Sequence, residues 1–318
     1  MKGLFFLFFL LLGVISKTWA FYSGVGIHYS NFSKADPNTL LDFLKIYKIN
    51  SIRVDYSWKQ VESAQGIYKP IKEIDTALNL MSKYGIRPVV ILDYGNSLYG
   101  IDKPTKEDEL QKFIKYSLWV ARHLSKYNPI YEIWNEWNIQ PPRNISLSAE
   151  SAMQYISLVK STSVEIKRAY PQTTIIAGSF NPIKSWQEKW ISVVLNNGLL
   201  NYVDGISLHM YGFSKEKLIS PVSNLSYVEQ LEKKIQKISG TTYPIYITEV
   251  GVPSMYVNGI DDVDISAYAA EYLYYAESKN YIKGVWWYDL IDDGIIKSDP
   301  EDNFGILGYN LKPKVSLR

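Results

Sequence analysis

Cysteine is absent from the 318-residue sequence, and histidine occurs only at positions 28, 123 and 209. Without cysteine no disulfide can brace the fold, so a hydrophobic core must stabilise it, which a domain of roughly 300 residues can provide. The three scattered histidines form no zinc-ligand cluster and no H-E-x-x-H motif. We therefore expect neither a metal nor any other cofactor.

Several other motifs are missing as well. The sequence contains no G-x-G-x-x-G or P-loop pattern for a nucleotide, and no G-x-S-x-G elbow for a serine hydrolase. Its formal net charge is only +2, which falls to 0 if a cut after Ala20 removes Lys2 and Lys17. A chain this close to neutral has no electrostatic basis for binding nucleic acid. We expect no nucleic-acid partner and no obligate protein partner.

No apolar run is long enough for a membrane span. Residues 1–20 have a basic start, an apolar stretch over residues 3–16 and a small residue at the end. That stretch has about 14 residues, short of the ~20 that a spanning helix needs, so it predicts a secretory signal peptide. An uncleaved N-terminal anchor is the alternative. Sequons at Asn31, Asn144 and Asn224 agree with a secreted protein.

Strand-like runs alternate with helix-length segments along the rest of the chain, residues 21–318. The sequence predicts strands over residues 24–30, 51–58, 87–95, 131–138, 174–180, 202–211, 243–251 and 284–290. It predicts helices over residues 36–48, 71–84, 106–126, 148–169, 185–196, 226–239 and 264–279. Asp36 is a good N-cap for the first of these helices, and Gly85 a good C-cap for the second.

Eight strand–helix units without a break in composition predict a single (β/α)₈ barrel. The periodicity alone also allows an open doubly wound sheet. A barrel gathers its chemistry at the C-terminal ends of its strands. Such residues do occur late in the predicted strands, namely Arg53, Asp55, Asp93, Asn135, Glu136, His209, Tyr211, Glu249, Trp287 and Asp289. This placement favours the barrel.

Two glutamates indicate the chemistry. Glu136 follows Asn135 at the end of the fourth strand, in YEIWNEWN, and Glu249 ends the seventh, in YITEVG. An unpaired charge in an apolar strand is costly, and these two strands face each other across a barrel mouth. A carboxyl pair over one cleft is what glycosidic bond hydrolysis needs: one group protonates the leaving oxygen and the other meets the oxocarbenium-like carbon.

The chain resembles the retaining glycoside hydrolases of clan A, and within the clan it looks most like family 39 and its neighbours in family 5. The resemblance covers residues 24–313. It depends on RVDYSWKQVESAQGIY, VILDYGN, IWNEWN, WYDLIDDG and DNFGIL, in barrel order, with Lys312-Pro313-Lys314 near the end. Clan members commonly carry proline after the acid/base glutamate, whereas this chain has Trp137.

The resemblance implies roles for several residues. Glu136 would be the general acid/base and Glu249 the nucleophile, and Asn135 would bind the sugar 2-hydroxyl. Arg53 would lie beneath Glu249 and keep it ionised, or pair with Asp55 or Asp93. Tyr211 would donate to Glu249.

Aromatic residues and histidines supply further expected sugar contacts. Trp287 is expected to form the floor of the subsite for the cleaved sugar, with Trp286 packed against helices. His209 is expected either to contact substrate or to be a core histidine whose hydrogen bonds are satisfied. Further candidates, each weighed against simple packing, are His28, Trp58, Tyr94 and Trp137.

Three functions remain open at this point. The first is a secreted hydrolase of β-linked glycosides that acts by double displacement on an oligo- or polysaccharide. The second is a transglycosylase with the same residues, and the third is a non-catalytic carbohydrate-binding protein, which would not need both glutamates. The loops over residues 99–106, 140–148 and 211–226 do not identify the sugar.

Overall fold

The structure is a computed structural model that describes residues 21–140, 143–254 and 256–314. The predicted signal segment, residues 1–20, lies outside the described residues. Within them, eight parallel strands pair in sequence order and close into a barrel. The strands are β1 Tyr22–Gly26, β2 Ser51–Asp55, β3 Arg87–Leu92, β4 Ile130–Ile133, β5 Thr174–Phe180, β6 Gly205–His209, β7 Ile245–Val250 and β8 Ile282–Trp287. The pairing of β1 with β8 excludes an open sheet.

Helices surround this barrel. The α-helices of the described residues are α1 Asn31–Lys34, α2 Pro37–Ile46, α3 Trp58–Val61, α4 Lys72–Met81, α5 Glu107–Leu124, α6 Arg143–Ser146, α7 Ala149–Ala169, α8 Glu188–Asn196, α9 Pro221–Ser239 and α10 Asp262–Glu277. The (β/α)₈ prediction is confirmed. No helix in the described ranges is long and apolar enough to span a membrane.

Local signals set several helix ends. The Asp36 side chain accepts hydrogen bonds from the N–H groups of Asn38 and Thr39, so it caps α2 as predicted. Gly85 has a φ of 73° and ends the turn that follows α4. The ninth helix begins at Pro221, five residues before the predicted start, because Ser220 caps it and proline is tolerated in a first turn.

The barrel interior is filled by a small cluster of apolar side chains: Val89, Ile130, Ile176, Tyr246 and Trp286, with Tyr22 packed against them. Trp286 therefore points inward, and the prediction that it packs against helices is wrong. Its indole N–H donates to Ser51 Oγ at 3.0 Å. Gly24 leaves room for the ring, since a Cβ there would lie 2.2 Å from Trp286 Cδ1. One large side chain thus closes this layer of the barrel.

Two of the three sequons lie in the protein interior. Asn31 and Asn224 are both fully buried. The amide of Asn224 donates to the Met210 carbonyl at 2.9 Å and accepts from the Tyr272 hydroxyl at 2.9 Å. These two asparagines are inaccessible in the folded chain, so only exposed Asn144 agrees with the predicted secretion.

Candidate active site

A cavity of about 580 Å³ opens at the C-terminal ends of the strands. Its lining residues are His28, Arg53, Asp55, Tyr94, Asn135, Glu136, Ile139, Tyr211, Phe213, Glu249, Tyr288, Glu301 and Phe304. Of the ten residues that we predicted for the site, seven line this cavity, because the carboxyl ends of all eight strands meet at one face of a barrel.

The sharp turn after β4 delivers Asn135 and Glu136 to the cavity. The strand ends at Ile133, five residues earlier than predicted, and the chain then bends. Trp134 and Glu136 have φ values of 65° and 50°, a left-handed conformation that bulky residues rarely adopt. Such backbone strain is typical of sites where a side chain must be aimed in one direction.

Lys103 forms hydrogen bonds that hold the loop after this turn in place. Its ammonium donates to the Trp137 carbonyl at 2.7 Å and to Ser146 Oγ at 2.8 Å. Burial lowers the pKa of Lys103 to about 8. These bonds connect the loop that carries Glu136 to the next segments of the chain.

Glu249, in β7, is held by two strong donors. Arg53 Nη1 lies 2.6 Å from Glu249 Oε1, and the Tyr211 hydroxyl donates to Glu249 Oε2 at 2.6 Å. Burial and the neighbouring Glu249 charge raise the pKa of Tyr211 well above its ordinary value, so the hydroxyl keeps its proton. These two donors therefore hold the Glu249 carboxyl group in one orientation.

Glu132 is the second partner of Arg53, and the sequence analysis missed it. Arg53 Nε donates to Glu132 Oε2 at 2.7 Å, whereas we expected Asp55 or Asp93 as the ion-pair partner. Glu132 is fully buried in the barrel and also accepts from Ser179 and Thr248. Burial alone would raise its pKa, but the charges of Arg53 and His209 outweigh burial and lower it. The sequence signal that could have identified Glu132 is its position as the one acidic residue in the apolar strand IYEI.

His209 lies between the two candidate glutamates. Its Nδ1 is 2.8 Å from Glu136 Oε1 and 3.3 Å from Glu249 Oε2. Burial lowers the pKa of His209, but the two carboxylates outweigh burial and raise it. The ring is only 1% exposed and does not line the cavity, in contrast to the expected substrate contact. His209 thus positions the carboxylates from behind.

Glu136 and Glu249 come close together in this arrangement. One carboxylate oxygen of each, with a ring nitrogen of His209, lies within 4.8 Å of the others. Retaining glycosidases hold their two carboxyl groups about 5–5.5 Å apart, whereas inverting enzymes keep ~6.5–9.5 Å for a water molecule. The close approach suits direct attack by one carboxylate on a sugar carbon.

Asn135 connects Arg53 to Tyr94. Its Oδ1 accepts from Arg53 Nη2 at 2.9 Å, and its Nδ2 donates to the Tyr94 hydroxyl at 2.6 Å. Burial first, and then the nearby acids, raise the pKa of Tyr94 beyond its ordinary range. Both side chains reach the cavity surface, where they can bind sugar hydroxyls.

His28 lies at the edge of the cavity next to β8. Its Nδ1 is 2.8 Å from Asp293 Oδ2, and its ring meets the Tyr288 ring edge-on. Burial opposes the charged form, but the hydrogen bond to Asp293 and the nearby acids raise the pKa of His28 to about 9. His28 is therefore cationic at neutral pH and already paired.

Three tryptophans that we considered for sugar stacking do not line the cavity. Trp58 and Trp137 are fully buried, and their indole N–H groups donate to Glu62 and Ser151. Trp287 is buried behind β8, where its ring meets that of Tyr268 of α10 edge-on and where it lines a small cavity with Tyr272, Ala269 and Leu273 of the same helix. The expectation that Trp287 forms the subsite floor is therefore wrong. Side chains alternate along a strand, and since Trp286 points inward, Trp287 points toward the helices.

Tyr288 reaches the cavity instead of Trp287. Its ring meets those of Tyr211 and Phe304 edge-on, and the Tyr288–Asp289 peptide is cis. The strand alternation that places Trp286 in the interior also predicts this position for Tyr288. Phe213, Ile139 and Glu301 complete the wall from loops, where the sequence offers no comparable periodic signal.

Two groups of side chains in the described part of the chain could offer three ligand atoms to a metal ion. One is Glu136, His209 and Glu249, and the other is His28, Asp289 and Asp293. In each group a histidine Nδ1 already lies 2.8 Å from a carboxylate oxygen. Arg53 also occupies one oxygen of Glu249. Hydrogen bonds and ion pairs thus account for the first cluster and for His28 and Asp293 in the second, whereas neither carboxylate oxygen of buried Asp289 has a hydrogen-bond partner among the described residues.

The sequence matches one protein-family model. Residues 16–289 match the model described as "Cellulase (glycosyl hydrolase family 5)", which is most of the chain. A comparison with curated protein sequences finds no match.

Solved structures share the fold. A family 39 glycoside hydrolase from the gut symbiont Bacteroides cellulosilyticus WH2 aligns with a TM-score of 0.74 and 22% identity, over 92% of this chain and 61% of that one. A GH39 β-xylosidase from Caulobacter crescentus aligns with a TM-score of 0.67 and 16% identity, over 92% and 69%. Xylanase 10B from Thermotoga maritima aligns with a TM-score of 0.67 and 14% identity, over 93% and 92%. The chain thus spans about three fifths of the first of these proteins.

Proposed function

Since the chain belongs to glycosyl hydrolase family 5, the cellulase family, we propose that it is a retaining hydrolase of β-linked glycosides in which Glu249 is the nucleophile and Glu136 the general acid/base. The observation that carries this proposal is the approach of the two carboxylates to within 4.8 Å. That close approach of one oxygen from each group supports a covalent intermediate, because retaining enzymes hold their two carboxyl groups nearer to each other than inverting enzymes do.

The first step forms a bond to the enzyme. Glu136 donates its proton to the glycosidic oxygen while the bond between this oxygen and the anomeric carbon breaks. A carboxylate oxygen of Glu249 attacks the same carbon from the other face, and the aglycone leaves as an alcohol. Tyr211 and Arg53, both 2.6 Å from this carboxylate, orient it for the attack.

The second step releases the sugar. Glu136, now ionised, removes a proton from a water molecule, and the water oxygen attacks the anomeric carbon. The bond to Glu249 breaks and Glu249 is again a carboxylate. Two inversions restore the β-configuration. Arg53 and Tyr211 stabilise the departing carboxylate, so the same donors serve both steps.

The substrate in this proposal is a β-glycoside or β-glycan whose terminal or internal sugar fills the cavity beside Asn135. Tyr288 and Phe304 offer aromatic surface to the apolar face of the ring, and Asn135 and Tyr94 offer polar groups to its hydroxyls. We also propose that the protein is secreted, on the basis of the sequence of residues 1–20 and the exposed sequon at Asn144.

Hydrolysis of a panel of aryl β-glycosides and β-glycans tests the function, and proton NMR of the first-formed product tests its stereochemistry. We expect the β-anomer of the free sugar to appear first. An initial α-anomer would contradict the retaining mechanism while leaving hydrolysis in place. If acceptor sugars are extended faster than water releases product, the protein is a transglycosylase instead.

Replacement of the nucleophile gives a second, independent test. Glu249→Gly should abolish turnover of an activated aryl β-glycoside, and azide should restore it by forming an α-glycosyl azide, since azide fills the space that the carboxylate leaves. Thermal unfolding should show that the variant is folded. Near-wild-type activity of Glu249→Gly without azide would refute the assignment of Glu249.

A further inference from the structure

Two neighbouring carboxyl groups, those of Asp55 and Asp93, lie in the cavity wall beside the machinery described above. Asp55 is the last residue of β2 and lines the cavity, whereas Asp93 follows β3 and is fully buried. Neither side-chain oxygen of Asp93 accepts a hydrogen bond from a donor within the described residues. After burial, Asp55 is the group that most strongly raises the pKa of Asp93, so the two carboxyl groups lie close together. Two ionised carboxylates at close range repel each other, so a proton on one of them is favoured.

The buried member of the pair holds that proton. Burial, followed by the charge of Asp55 and the hydrogen bond to it, raises the pKa of Asp93 well above its ordinary value. Asp93 is therefore the donor and Asp55 the acceptor, and this acceptor lies at the cavity surface. A buried carboxyl group kept neutral in this way acts as a hydrogen-bond donor.

Arg53 lies two residues before Asp55 on the same strand and attracts its charge, but it forms no hydrogen bond with it. Its guanidinium directs hydrogen bonds to Glu132, Glu249 and Asn135. Among the described residues that line the cavity, the other cation is His28, which is paired with Asp293. The cavity also contains the carboxyl groups of Glu136, Glu249 and Glu301. It therefore presents an excess of negative charge to a ligand.

Neighbouring strand ends place Asp55 beside the edge of a bound sugar ring. Asp55 lies on β2, between His28 after β1 and Tyr94 after β3, and Tyr94 in turn contacts Asn135. In the proposed function, the sugar that Glu249 attacks would lie against this wall. Because Asp93 contacts Asp55 on one side only, the carboxyl oxygens of Asp55 can accept further hydrogen bonds on the cavity side.

We propose that Asp55, positioned by Asp93, is a specificity-determining residue that accepts a hydrogen bond from a hydroxyl or ammonium group of the sugar ring and excludes sugars that carry a carboxylate. The inference rests on the proposed glycosidase function and adds the charge class of its substrate: neutral or amino sugars, and no uronic acids. A charged acceptor discriminates between these groups because it attracts donors and repels a second carboxylate in a poorly hydrated cavity.

A matched set of three aryl β-glycosides tests the proposal on the full-length protein. They share the sugar configuration that the wild type hydrolyses fastest, and they are the neutral parent, its 2-amino derivative and its uronide. We expect kcat/KM of the wild type for the uronide to be at least about 100-fold below that for the parent. Asp55→Asn should lower kcat/KM for the parent about 10-fold and for the amino sugar about 100-fold, because it removes the charge. Asp42→Asn, on the outer surface of α2, is the control and should change nothing.

A separate kinetic measurement tests the role of Asp93. Asp93→Ala removes the donor to Asp55 and should lower kcat/KM for the parent glycoside about 10-fold, mainly by raising KM. Asp93→Asn provides an amide donor in the same place and should restore most of the loss. If Asp93→Asn and Asp93→Ala lose the same activity while both remain folded, Asp93 does not act through a hydrogen bond to Asp55.

Failure of this inference can be told apart from failure of the proposed function. A wild type that hydrolyses the neutral glycoside but treats the uronide equally well, or that is indifferent to Asp55→Asn, overturns the inference alone. A wild type that hydrolyses nothing overturns the proposed function, and calorimetric binding of the three free sugars then decides about Asp55. Weaker binding of the neutral and amino sugars to Asp55→Asn supports the inference, and equal binding overturns it.

Discussion

Arg53 donates a hydrogen bond of 2.6 Å from its Nη1 to Oε1 of Glu249. The same guanidinium reaches Glu132 through Nε at 2.7 Å, so one buried cation connects the candidate nucleophile to the barrel interior. Burial opposes the charge of Arg53, but Glu132 and Glu249 outweigh it and raise the pKa of the guanidinium still further. The carboxylate that is proposed to attack the sugar is thus positioned by a charge that is itself positioned by Glu132.

Loss of the Glu132 charge should therefore affect both stability and activity. We expect Glu132→Gln to lower the free energy of unfolding by about 3 kcal/mol, because it leaves part of a buried cation uncompensated. It should also lower kcat about 10-fold, since Arg53 can then shift relative to Glu249. Chemical denaturation and steady-state kinetics measure the two effects.

An exposed pair of the same chemistry provides the control. Arg168 and Glu165 on α7 are 2.7 Å apart, with the Arg168 side chain 69% exposed. Solvent screens such a pair, so Glu165→Gln should cost less than about 1 kcal/mol and leave kcat unchanged. Equal destabilisation by Glu132→Gln and Glu165→Gln would show that the buried ion pair contributes nothing special.

The effect of replacing Glu136 on kcat/KM should depend on the leaving group of the substrate. Glu136→Ala should lower kcat/KM for glycosides with poor leaving groups, such as alkyl glycosides, by about 10²–10⁴-fold. Dinitrophenyl glycosides need no protonation of the leaving oxygen, so their kcat/KM should fall much less. The measurement is a plot of kcat/KM against the pKa of the leaving group. A parallel loss for both classes of substrate would assign another role to Glu136.

The adjacent aromatic residues of β8 should separate stability from activity. Trp287→Ala should lower the free energy of unfolding by about 3–5 kcal/mol, because it empties the space between β8 and α10. Tyr288→Ala, at the cavity surface, should be less destabilising and should lower kcat/KM about 10- to 100-fold through lost ring contact.

Thermal unfolding and kinetics on both variants decide between these roles. The result that would restore Trp287 as the subsite floor is a folded Trp287→Ala with an activity loss larger than that of Tyr288→Ala. Trp286→Ala is the matched variant inside the barrel, and it should be destabilising without a selective effect on KM.

His28 should make stability depend on pH. Its folded-state pKa of about 9 lies above the ordinary value of 6.5, so its pairing with Asp293 stabilises the fold fully below pH 6.5. This contribution should disappear as pH rises from 6.5 through 9, and it amounts to at most about 3.5 kcal/mol at about 1.4 kcal/mol per pKa unit.

Denaturation at a series of pH values tests this dependence. His28→Gln should remove the part of the pH dependence that lies between pH 6.5 and 9. His123, which pairs with Asp75 on the outside of the barrel, provides the control substitution His123→Gln. Identical pH profiles for wild type and His28→Gln would contradict the assignment of the raised pKa to His28.

Local sequence signals were enough to predict the architecture and to identify the candidate catalytic carboxyl groups. Alternating strand and helix periods predicted eight units, and Asn135-Glu136 and Glu249 stood out because charged and amide groups are costly in apolar strands. Both signals are local, so they can be read without knowing which segments meet. The order of the strands in a barrel then brings their carboxyl ends to one cavity.

Which side chains face that cavity depends on the tertiary structure. Trp286 and Trp287 are chemically identical neighbours, and a shift of one residue in the alternation exchanges the interior for the helix layer. The clash that a Cβ at Gly24 would make with Trp286 shows which arrangement the packing accepts. Likewise, the pairing of Arg53 with Glu132 rather than Asp55 joins residues 79 positions apart. Such contacts depend on strand register and packing, which the periodicity of a sequence does not specify.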